Sequence, residues 1–386
     1  MSHQGAVVDL TDEQLRARRT AKWSVPDEVL PAWVAETDFA LCPEVAEAVQ
    51  RSVRDGSTGY PPPDAATGLP EALAGYASSA WGWEVPPGRV LAVGDVMSGV
   101  LLALTTLCDD APVVVPTPAY PPFLDVAGLA GRRMVAVPLD PDCPTAALDL
   151  DRIDAELAAG ARTVLLCQPH NPWGRAFGRA ELEALRDVVV RHGARVVSDE
   201  IHAPLVLPGA AHVPYLTLDG TADHAVTVLS ASKAWDVPGL KCAQVVVGND
   251  ADAAALRGLP LVANHGLSPV GIAANLAAWT RGGPWLAALI ERVDANRRLL
   301  GELATERLPR VRMRPLEATY LAWLDARAYG HDRPAAVALE RARVMVNEGT
   351  TFGDGGTGGV RVNLATSPDR VREAVDRLAQ AWEHAG

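Results

Sequence analysis

Short apolar runs alternate with helical segments through the middle of this 386-residue chain, and each run ends in a polar or Gly/Pro-rich motif. The runs are rich in β-branched residues and too short for helices, so they predict strands buried on both faces. Such strands alternating with helices are typical of a largely parallel sheet covered by helices on both sides. Ligands bind these sheets at the carboxyl ends of the strands, so the polar motifs are predicted to meet at one site. The predicted strands are residues 90–93, 112–115, 163–167, 195–197, 225–229 and 243–247.

From about residue 285 the pattern changes, which predicts a second and smaller domain. A long helix at 286–303 is followed by a strand-like run at 319–324, a helix near 334–342, a Gly-rich loop and a strand at 360–364. This order is typical of an α+β unit. We therefore expect an α/β fold in three ranges: an N-terminal arm with part of the small domain at 1–45, a large domain at 46–284 and a small C-terminal domain at 285–386.

Composition and charge exclude several classes of protein. Apolar residues make up 48% of the chain, and a formal net charge of -12 argues against nucleic acid and anionic membrane surfaces as partners. Residues 1–27 lack the apolar core of a signal peptide, and no apolar run approaches the ~20 residues of a membrane-spanning helix. The five cysteines are scattered without a CxxC pair, which indicates reduced thiols in the cytoplasm and neither disulfides nor a metal site.

The segment Ser230-Ala231-Ser232-Lys233 directly follows a predicted strand, and Lys241 lies shortly after it. A lysine among hydroxyls and apolar neighbours can lose its proton and attack a carbonyl. The two serines and the second cation can hold a phosphate beside it. Together these residues suggest a pyridoxal phosphate site, and the alternative is a surface lysine at a strand end.

Polar residues at other strand ends fit the same kind of site. Asp199 needs a cationic partner such as a pyridinium nitrogen, or it caps the following helical segment. His202 is either a site residue or a structural histidine. Asn171 could donate its amide to a ring oxygen or form an Asx turn before proline. Tyr120 could lie against a planar cofactor or pack within its own proline-rich loop.

Two further features could bind anions. Residues 94–99 lead from a strand into a helix, so the free amides of Val96 and Met97 could bind a phosphate. The alternative is an ordinary strand-to-helix turn. Arg361 is a charge within a short apolar strand, and its planar guanidinium suits a substrate carboxylate. An internal salt bridge is the alternative for Arg361.

Taken in order, these motifs resemble the fold-type I pyridoxal-phosphate enzymes of the class I/II (aspartate) aminotransferase superfamily over nearly the whole chain. Within that superfamily the chain is most similar to the MalY/PatB branch of cystathionine β-lyases, which are C–S lyases. The segments that carry this similarity are Trp33-Val34-Ala35-Glu36-x-Asp38-Phe39, Thr58-Gly59-Tyr60, Asp199-Glu200-Ile201-His202 and Asn347-Glu348-Gly349 with Phe352-Gly353.

The resemblance implies a role for each matched residue. Lys233 would form a Schiff base with the cofactor and then move the Cα proton of an amino-acid substrate. Asp199 would pair with the pyridine nitrogen, and Arg361 would bind the substrate α-carboxylate. Tyr60 would come from the partner subunit, which implies a homodimer. The phosphate would be held by Ser230, Ser232, Lys241 and the amides of Val96 and Met97, and the ring by Asn171, His202 and Tyr120.

Three residues depart from the branch, which usually has Met at Thr37, Thr at Trp173 and Asn at Asp236. They lie beside the predicted site, and we expect Thr37 and Trp173, with Ala35, to contact substrate. The departures leave the cofactor residues in place but argue against cystathionine or cysteine as the substrate. A specialised cysteine S-conjugate is one possibility, because similar enzymes act on such conjugates in the biosynthesis of lincosamide antibiotics.

The activity implied by this resemblance is β-elimination, which yields a thiol, pyruvate and ammonia. Aminotransferase chemistry and decarboxylation-coupled oxidative deamination are the alternatives at the same site. A regulatory scaffold is a further alternative, but a scaffold does not need the nucleophile Lys233.

Overall fold

The computed structural model describes residues 6–140, 142–143 and 146–383. The start of the predicted ranges 1–45 and 1–27 and the end of the predicted range 285–386 therefore lie outside the described residues. The helices are α1 (Asp12–Ala17), α2 (Pro43–Arg54), α3 (Leu69–Trp81), α4 (Val96–Leu107), α5 (Pro121–Leu129), α6 (Leu150–Ala158), α7 (Arg179–Arg191), α8 (Asp250–Arg257), α9 (Pro269–Arg281), α10 (Gly283–Arg307), α11 (Pro334–Ala342) and α12 (Pro368–Glu383). The strands are β1 (Leu30–Pro31), β2 (Val90–Val93), β3 (Val113–Thr117), β4 (Met134–Pro138), β5 (Thr163–Cys167), β6 (Arg195–Asp199), β7 (Ala225–Leu229), β8 (Ala243–Val247), β9 (Arg312–Met313), β10 (Leu321–Asp325), β11 (Val344–Met345), β12 (Asn347–Glu348) and β13 (Gly359–Asn363). Within these described ranges, no helix combines the length and the apolarity needed to cross a membrane.

A seven-stranded sheet forms the centre of the fold, in the order β2-β8-β7-β6-β5-β3-β4. Neighbouring strands are parallel except at β8, which is antiparallel to β2 and β7. Alternate residues of β3 face different apolar clusters: Val113 and Val115 pack towards α4 and α5, and Val114 packs towards α6 and α7. The sheet is therefore covered by helices on both faces, as its continuous apolar strands predict.

In the central sheet, β3, β4 and β6 differ from the prediction. β3 and β6 each continue two residues beyond the predicted end, which places Asp199 within its strand. β4 is missing from the predicted strands. It is one of the two edge strands, and because its side chains are alternately buried and half-buried it lacks the continuous burial of the central strands.

A smaller antiparallel sheet, in the order β12-β13-β10-β9, follows in the chain, and α10 to α12 pack together beside it. Its register places Arg361 of β13 opposite Asn347 of β12 and Trp323 of β10. This pairing brings Asn347 and Arg361 to one point although they lie on different strands. The unit has the α+β organisation predicted from the C-terminal sequence.

The N-terminal arm packs on the smaller sheet. β1 pairs in parallel with β11, and Asn363 Nδ2 donates to the carbonyls of Val34 at 2.6 Å and Glu36 at 2.7 Å. These contacts support the assignment of the arm to the small domain. We propose to retain the three predicted ranges but to move their boundaries to Pro43 and Gly283, because the original positions fall inside α2 and α10.

Candidate active site

A cavity of about 460 Å³ lies at the carboxyl ends of β5, β6 and β7, where the strand-end motifs meet. Its other walls come from the N-terminus of α4, from β12 and β13, and from residues 33–35 of the arm. The lining residues are Trp33, Val34, Ala35, Asp95, Val96, Met97, Tyr120, Pro121, Pro122, Cys167, Asn171, Asp199, Ile201, His202, Ser232, Lys233, Pro238, Lys241, Asn347, Phe352 and Arg361.

Lys233 lies in the turn after β7 and lines the cavity, so it is not a surface lysine. Its Nζ donates to the carbonyl of Ala35 at 3.2 Å. The chain has only three lysines, and the other two, Lys22 and Lys241, each pair with an aspartate, whereas no such ion pair involves Lys233 among the described residues. Burial lowers the pKa of the Lys233 amine, which shifts its equilibrium towards the neutral form.

Asp199 ends β6 and is only 3% exposed. Its Oδ1 accepts the N–H of Ile201 at 3.0 Å, so it caps the following turn as well as facing the cavity. No cation pairs with Asp199 in the described part of the chain. Burial raises the pKa of its carboxyl to about 7, although the Ile201 hydrogen bond opposes this shift. A positively charged nitrogen placed next to Asp199 would restore the ionised form.

His202 and Asn171 offer two neutral donors to the cavity. Burial, together with the positive charges of Lys233 and Arg361, lowers the pKa of His202 to about 3, so its imidazole is neutral. Its buried Nδ1 has no hydrogen-bond partner within the described residues. Asn171 Oδ1 accepts a hydrogen bond from Arg361 at 2.9 Å, which leaves the amide nitrogen of Asn171 for an acceptor in the cavity.

The N-terminus of α4 closes one end of the cavity. Asp95 caps the helix by accepting the N–H of Ser98 at 2.7 Å, and its other oxygen pairs with Lys241 Nζ at 2.7 Å. The first-turn amides of Val96 and Met97 have no intrahelical acceptor. Together with the cation of Lys241, they form a place where an anion is stabilised.

The two serines of the lysine turn have different positions. Ser232 lines the cavity, whereas Ser230 does not. Ser230 Oγ donates to the carbonyl of Cys242 at 2.7 Å and accepts the N–H of Ser232 at 3.0 Å. The structure therefore does not bring the predicted phosphate ligand Ser230 to the cavity, because its hydroxyl is used to hold the turn.

Arg361 lies on β13 and is 6% exposed. Its guanidinium donates to Asn171 Oδ1 at 2.9 Å, Asn347 Oδ1 at 2.7 Å and the carbonyl of Trp33 at 3.2 Å, and it lies 4.9 Å above the ring of Phe352. All of these acceptors are neutral, so an internal salt bridge does not explain the residue. Burial lowers the pKa of Arg361 to about 10, and the group stays charged near neutral pH.

Trp173 and Thr37 do not line the cavity in the described structure, contrary to the prediction that they contact substrate. Trp173 is 2% exposed and packs in the cluster around α6 and α7, with the guanidinium of Arg314 4.0 Å from its ring. The chain reverses between His170 and Arg175, and Trp173 lies in that reversal with its side chain in the core. Thr37 is buried, and its hydroxyl donates to Asp236 Oδ2 at 2.9 Å.

Tyr60 is also outside the cavity of its own chain. It is 90% exposed and lies in the proline-rich loop after α2. Tyr120, by contrast, lines the cavity, and burial raises the pKa of its phenol, which keeps the hydroxyl protonated.

Sequence reasoning missed three residues that shape the site. Asn347 and Phe352 lie in a segment that carries the family resemblance, but their contacts with Arg361 follow from strand pairing and are invisible in a linear pattern. Tyr320 is buried, and its hydroxyl donates to the carbonyl of Ala35 at 3.1 Å. A tyrosine inside the strand-like run 319–324 predicts ordinary core packing, so no sequence signal points to this role.

These groups fit pyridoxal phosphate. The amine of Lys233 can join an aldehyde, and the buried, unpaired carboxyl of Asp199 suits a protonated ring nitrogen. The α4 amides with Lys241 suit a phosphate. The unpartnered Nδ1 of buried His202 and the free amide of Asn171 are available to oxygen atoms of the ring or substrate.

Comparisons with known proteins agree with this geometry. Residues 34–378 match the family model of aminotransferase class I and II. A candidate cystathionine beta-lyase of Mycobacterium leprae is 42% identical over 397 residues, covering 96% of this chain and 97% of its own. Cystathionine beta-lyase PatB of Bacillus subtilis is 31% identical over 385 residues, covering 97% and 99%. A solved candidate PLP-dependent beta-cystathionase of Corynebacterium diphtheriae is 36% identical and superimposes with a TM-score of 0.93, covering 99% of this chain and 100% of its own. The predicted similarity to the MalY/PatB branch and the predicted fold are confirmed.

Proposed function

Since the chain belongs to the class I and II aminotransferase family, we propose that it is a pyridoxal-phosphate-dependent carbon–sulfur lyase that cleaves a cysteine S-conjugate by β-elimination. One observation carries the proposal: a single cavity holds the amine of Lys233, the carboxyl of Asp199 and the guanidinium of Arg361, and none of these has a partner of opposite charge in the described chain. Such a set suits an α-amino acid together with a cationic, aldehyde-bearing cofactor.

Pyridoxal phosphate, when bound, supplies the electron sink for negative charge at the substrate Cα. Lys233 is the base at that carbon, because its lowered pKa leaves more neutral amine to take the Cα proton. The carbonyl of Ala35 holds its Nζ at 3.2 Å. Asp199 would hold a proton on the ring nitrogen, and Tyr120, which lines the same cavity, would contact the ring.

Arg361 binds the α-carboxylate of the substrate. The contacts with Asn171, Asn347 and Phe352 fix its guanidinium before substrate arrives. A bidentate carboxylate supplies the anionic partner that the buried cation lacks. The substrate Cα is thereby held in one orientation, which favours loss of one chosen bond.

The sulfur substituent would meet an apolar wall. Trp33, Val34, Pro121, Pro122 and Phe352 line the cavity. Of its charged residues within the described chain, Asp95 pairs with Lys241, and the others are assigned to the cofactor or the α-carboxylate. Among the described lining residues, no unpaired cation or anion is then left for the charged distal end of cystathionine. We therefore propose a conjugate with an uncharged S-substituent, including a specialised natural-product conjugate of the kind found in lincosamide antibiotic biosynthesis.

The test is product analysis with purified holoenzyme and a panel of S-substituted L-cysteines. The overall reaction consumes one conjugate and one water and releases one thiol, one pyruvate and one ammonium ion. Equal amounts of thiol and pyruvate are expected. Oxo acid without thiol would instead establish transamination, and carbon dioxide release with oxygen uptake would establish oxidative decarboxylation.

The attachment site can be tested separately from turnover. Borohydride reduction of the holoenzyme, followed by peptide mass mapping, should place the phosphopyridoxyl group on Lys233. The low lysine content makes this mapping clear, because Lys22 and Lys241 are the only other candidates. Label on either of these, or no label, would contradict the proposed cofactor site.

We further propose a homodimer in the cytoplasm, with Tyr60 completing the partner's site. Three large apolar side chains are exposed, as expected for a surface that a partner subunit covers: Tyr60 is 90% exposed, and Leu261 and Val262 are each 82% exposed. Mixing inactive Lys233→Ala and Tyr60→Ala proteins should restore about a quarter of the wild-type activity, since half of the dimers then hold one intact site. No recovery in dimers shown to exchange subunits contradicts a role across the interface. The five free cysteines suit a reducing compartment.

A further inference from the structure

Residues 33–37 have no regular secondary structure, and residues 33–35 line the cavity; we call this segment the strap. Side chains from distant parts of the chain donate to every carbonyl of the strap. The donors are Arg361 to Trp33, Asn363 to Val34 and Glu36, Lys233 and Tyr320 to Ala35, Lys22 to Glu36, and Arg18 to Thr37. The position of this cavity wall therefore depends on individual side chains and not on a sheet.

Asp236 makes the contact that ties the strap to the lysine turn. It lies three residues after Lys233, and its Oδ1 accepts the N–H of Thr37 at 3.0 Å while its Oδ2 accepts the Thr37 hydroxyl at 2.9 Å. Arg18 lies 3.9 Å from the same carboxylate. The backbone of Asp236 has a φ of 56°, in the left-handed region that a residue other than glycine rarely adopts. Such strain at a functional site requires surrounding contacts that stabilise it, and the two bonds to Thr37 are such contacts.

The same carboxylate acts on the lysine amine. Burial lowers the pKa of Lys233, and among the charged groups Asp236 opposes that shift most strongly. Burial raises the pKa of Asp236 itself, while the bonds from Thr37 and the charge of Arg18 favour its ionised form. The charged and titratable groups around the amine are Asp199 on β6, Arg361 on β13, Glu36 in the strap, Asp236 in the lysine turn, and the side chains of Tyr320 and His202.

We propose that Asp236 is a positioning residue with two separable effects: its bonds to Thr37 hold the strap, whose Ala35 carbonyl accepts from Lys233, and its carboxylate in the same turn sets the electrostatic environment of the lysine nitrogen. This inference rests on the proposed function, because it assumes that Lys233 carries the cofactor and acts on substrate. It adds a role for a pair of residues that do not touch the cavity.

Two substitutions separate the effects. Asp236→Asn has nearly the same shape and keeps an acceptor for the N–H of Thr37, but it removes the negative charge. Thr37→Val keeps the charge and the backbone hydrogen bond, but it removes the hydroxyl bond. Thr37→Ser restores a hydroxyl and serves as the conservative rescue. Asp27→Asn is the matched control, because Asp27 pairs with an arginine of the same arm at 3.2 Å but is 93% exposed.

The first measurement is the pH titration of the cofactor absorbance in each holoenzyme, which reports protonation of the lysine-linked nitrogen without turnover. Asp236→Asn should lower that pKa by about one unit, the effect of losing one nearby opposite charge. Thr37→Val, Thr37→Ser and Asp27→Asn should titrate like wild type. The second measurement is KM, which Thr37→Val should raise about fivefold, as expected for one lost hydrogen bond, with kcat little changed. Thr37→Ser should return KM towards the wild-type value.

An unchanged titration in folded Asp236→Asn overturns the electrostatic effect, and equal KM values for Thr37→Val and Thr37→Ser overturn the positioning effect. If Asp236→Asn does not fold, the Thr37 pair still decides whether the strap contact matters. Failure of the proposed function looks different: wild-type protein would then bind no cofactor at Lys233, or would bind it and release no thiol from any conjugate.

Discussion

Replacement of Arg361 gives the sharpest test of how the cavity recognises its substrate, because it should affect only substrates with a free α-carboxylate. Two charge-assisted hydrogen bonds from the guanidinium are expected, and each contributes ~1.5–3 kcal/mol. Arg361→Gln should therefore cost about 3–5 kcal/mol of transition-state binding, or roughly 10²–10⁴-fold in kcat/KM. Arg361→Lys keeps the charge but loses the planar fork, so about a tenfold to hundredfold loss is expected.

The internal contacts of Arg361 set the control for this experiment. The acceptors on Asn171, Asn347 and Trp33 are neutral, so loss of the guanidinium leaves no uncompensated charge behind. Each lost contact has a charged donor and contributes ~1.5–3 kcal/mol to the free energy of unfolding, but the substitution by Gln also removes a buried cation without an anionic partner, which offsets the loss. Both variants should stay folded with a modestly lower Tm, and cofactor absorbance should be retained.

The assay compares an S-substituted L-cysteine with its methyl ester, which has the same sulfur substituent and a similarly acidic Cα proton but no carboxylate charge. Wild-type enzyme should prefer the acid strongly. In Arg361→Gln, kcat/KM for the acid should fall close to that for the ester, while kcat/KM for the ester should change little. If the acid-to-ester ratio of kcat/KM is the same in wild type and in both variants, Arg361 is not the carboxylate site and the reasoning fails.

Three further changes test other parts of the structure. Burial raises the pKa of Asp199 from 3.8 to about 7, so between these pH values the folded apoprotein binds more protons than the unfolded chain, and its stability falls as pH rises. Relative to Asp199→Asn, wild-type apoprotein should lose about 3 kcal/mol of unfolding free energy between pH 5 and pH 8 in urea denaturation. The same pH dependence of stability in both proteins would contradict the shift. Gly271→Ala would place a Cβ 2.1 Å from the carbonyl oxygen of Leu240, next to the predicted phosphate ligand Lys241, so cofactor affinity should fall severalfold in a fluorescence titration. Gly301→Ala is the control, because its Cβ would enter open space and cofactor affinity should not change. Lys22→Met leaves its buried aspartate partner, 2.9 Å away, without a cation, and should destabilise the protein by about 3–5 kcal/mol in the same urea assay; a loss below 1 kcal/mol would show that the pair is dispensable.

Much of the fold follows from local sequence. Continuous β-branched runs predict β2, β5, β7 and β8 to the residue, and the helical spacing predicts α3 and α11, because these signals depend only on neighbours in the chain. The edge strand β4 and the two-residue strands β1, β9, β11 and β12 are missed. Their pairing is decided by distant partners, as when β1 joins β11, so no local pattern contains it.

The site divides in the same way. Lys233, Asp199 and Asn171 follow apolar strands, and the topology of a parallel sheet is enough to bring them together. Trp173 could not be placed from sequence, because one tight reversal decides whether its indole faces the cavity or the core. The partnership of Asp236 with Thr37 joins residues 199 positions apart, so only the folded chain reveals it.

The buried charges of this protein separate structural from functional groups. Lys22 and Asp38 are each 1% exposed and neutralise one another's charge, so that charge pair needs no ligand. Lys233, Asp199 and Arg361 are held by neutral acceptors or backbone groups and have no ion pair among the described residues, so their charged forms are uncompensated and burial disfavours them. A cationic ring, an aldehyde and a carboxylate would supply the missing partners, so binding them should stabilise the folded protein. The uncompensated charges are therefore the strongest physical sign that this cavity is built for an amino acid and its cofactor.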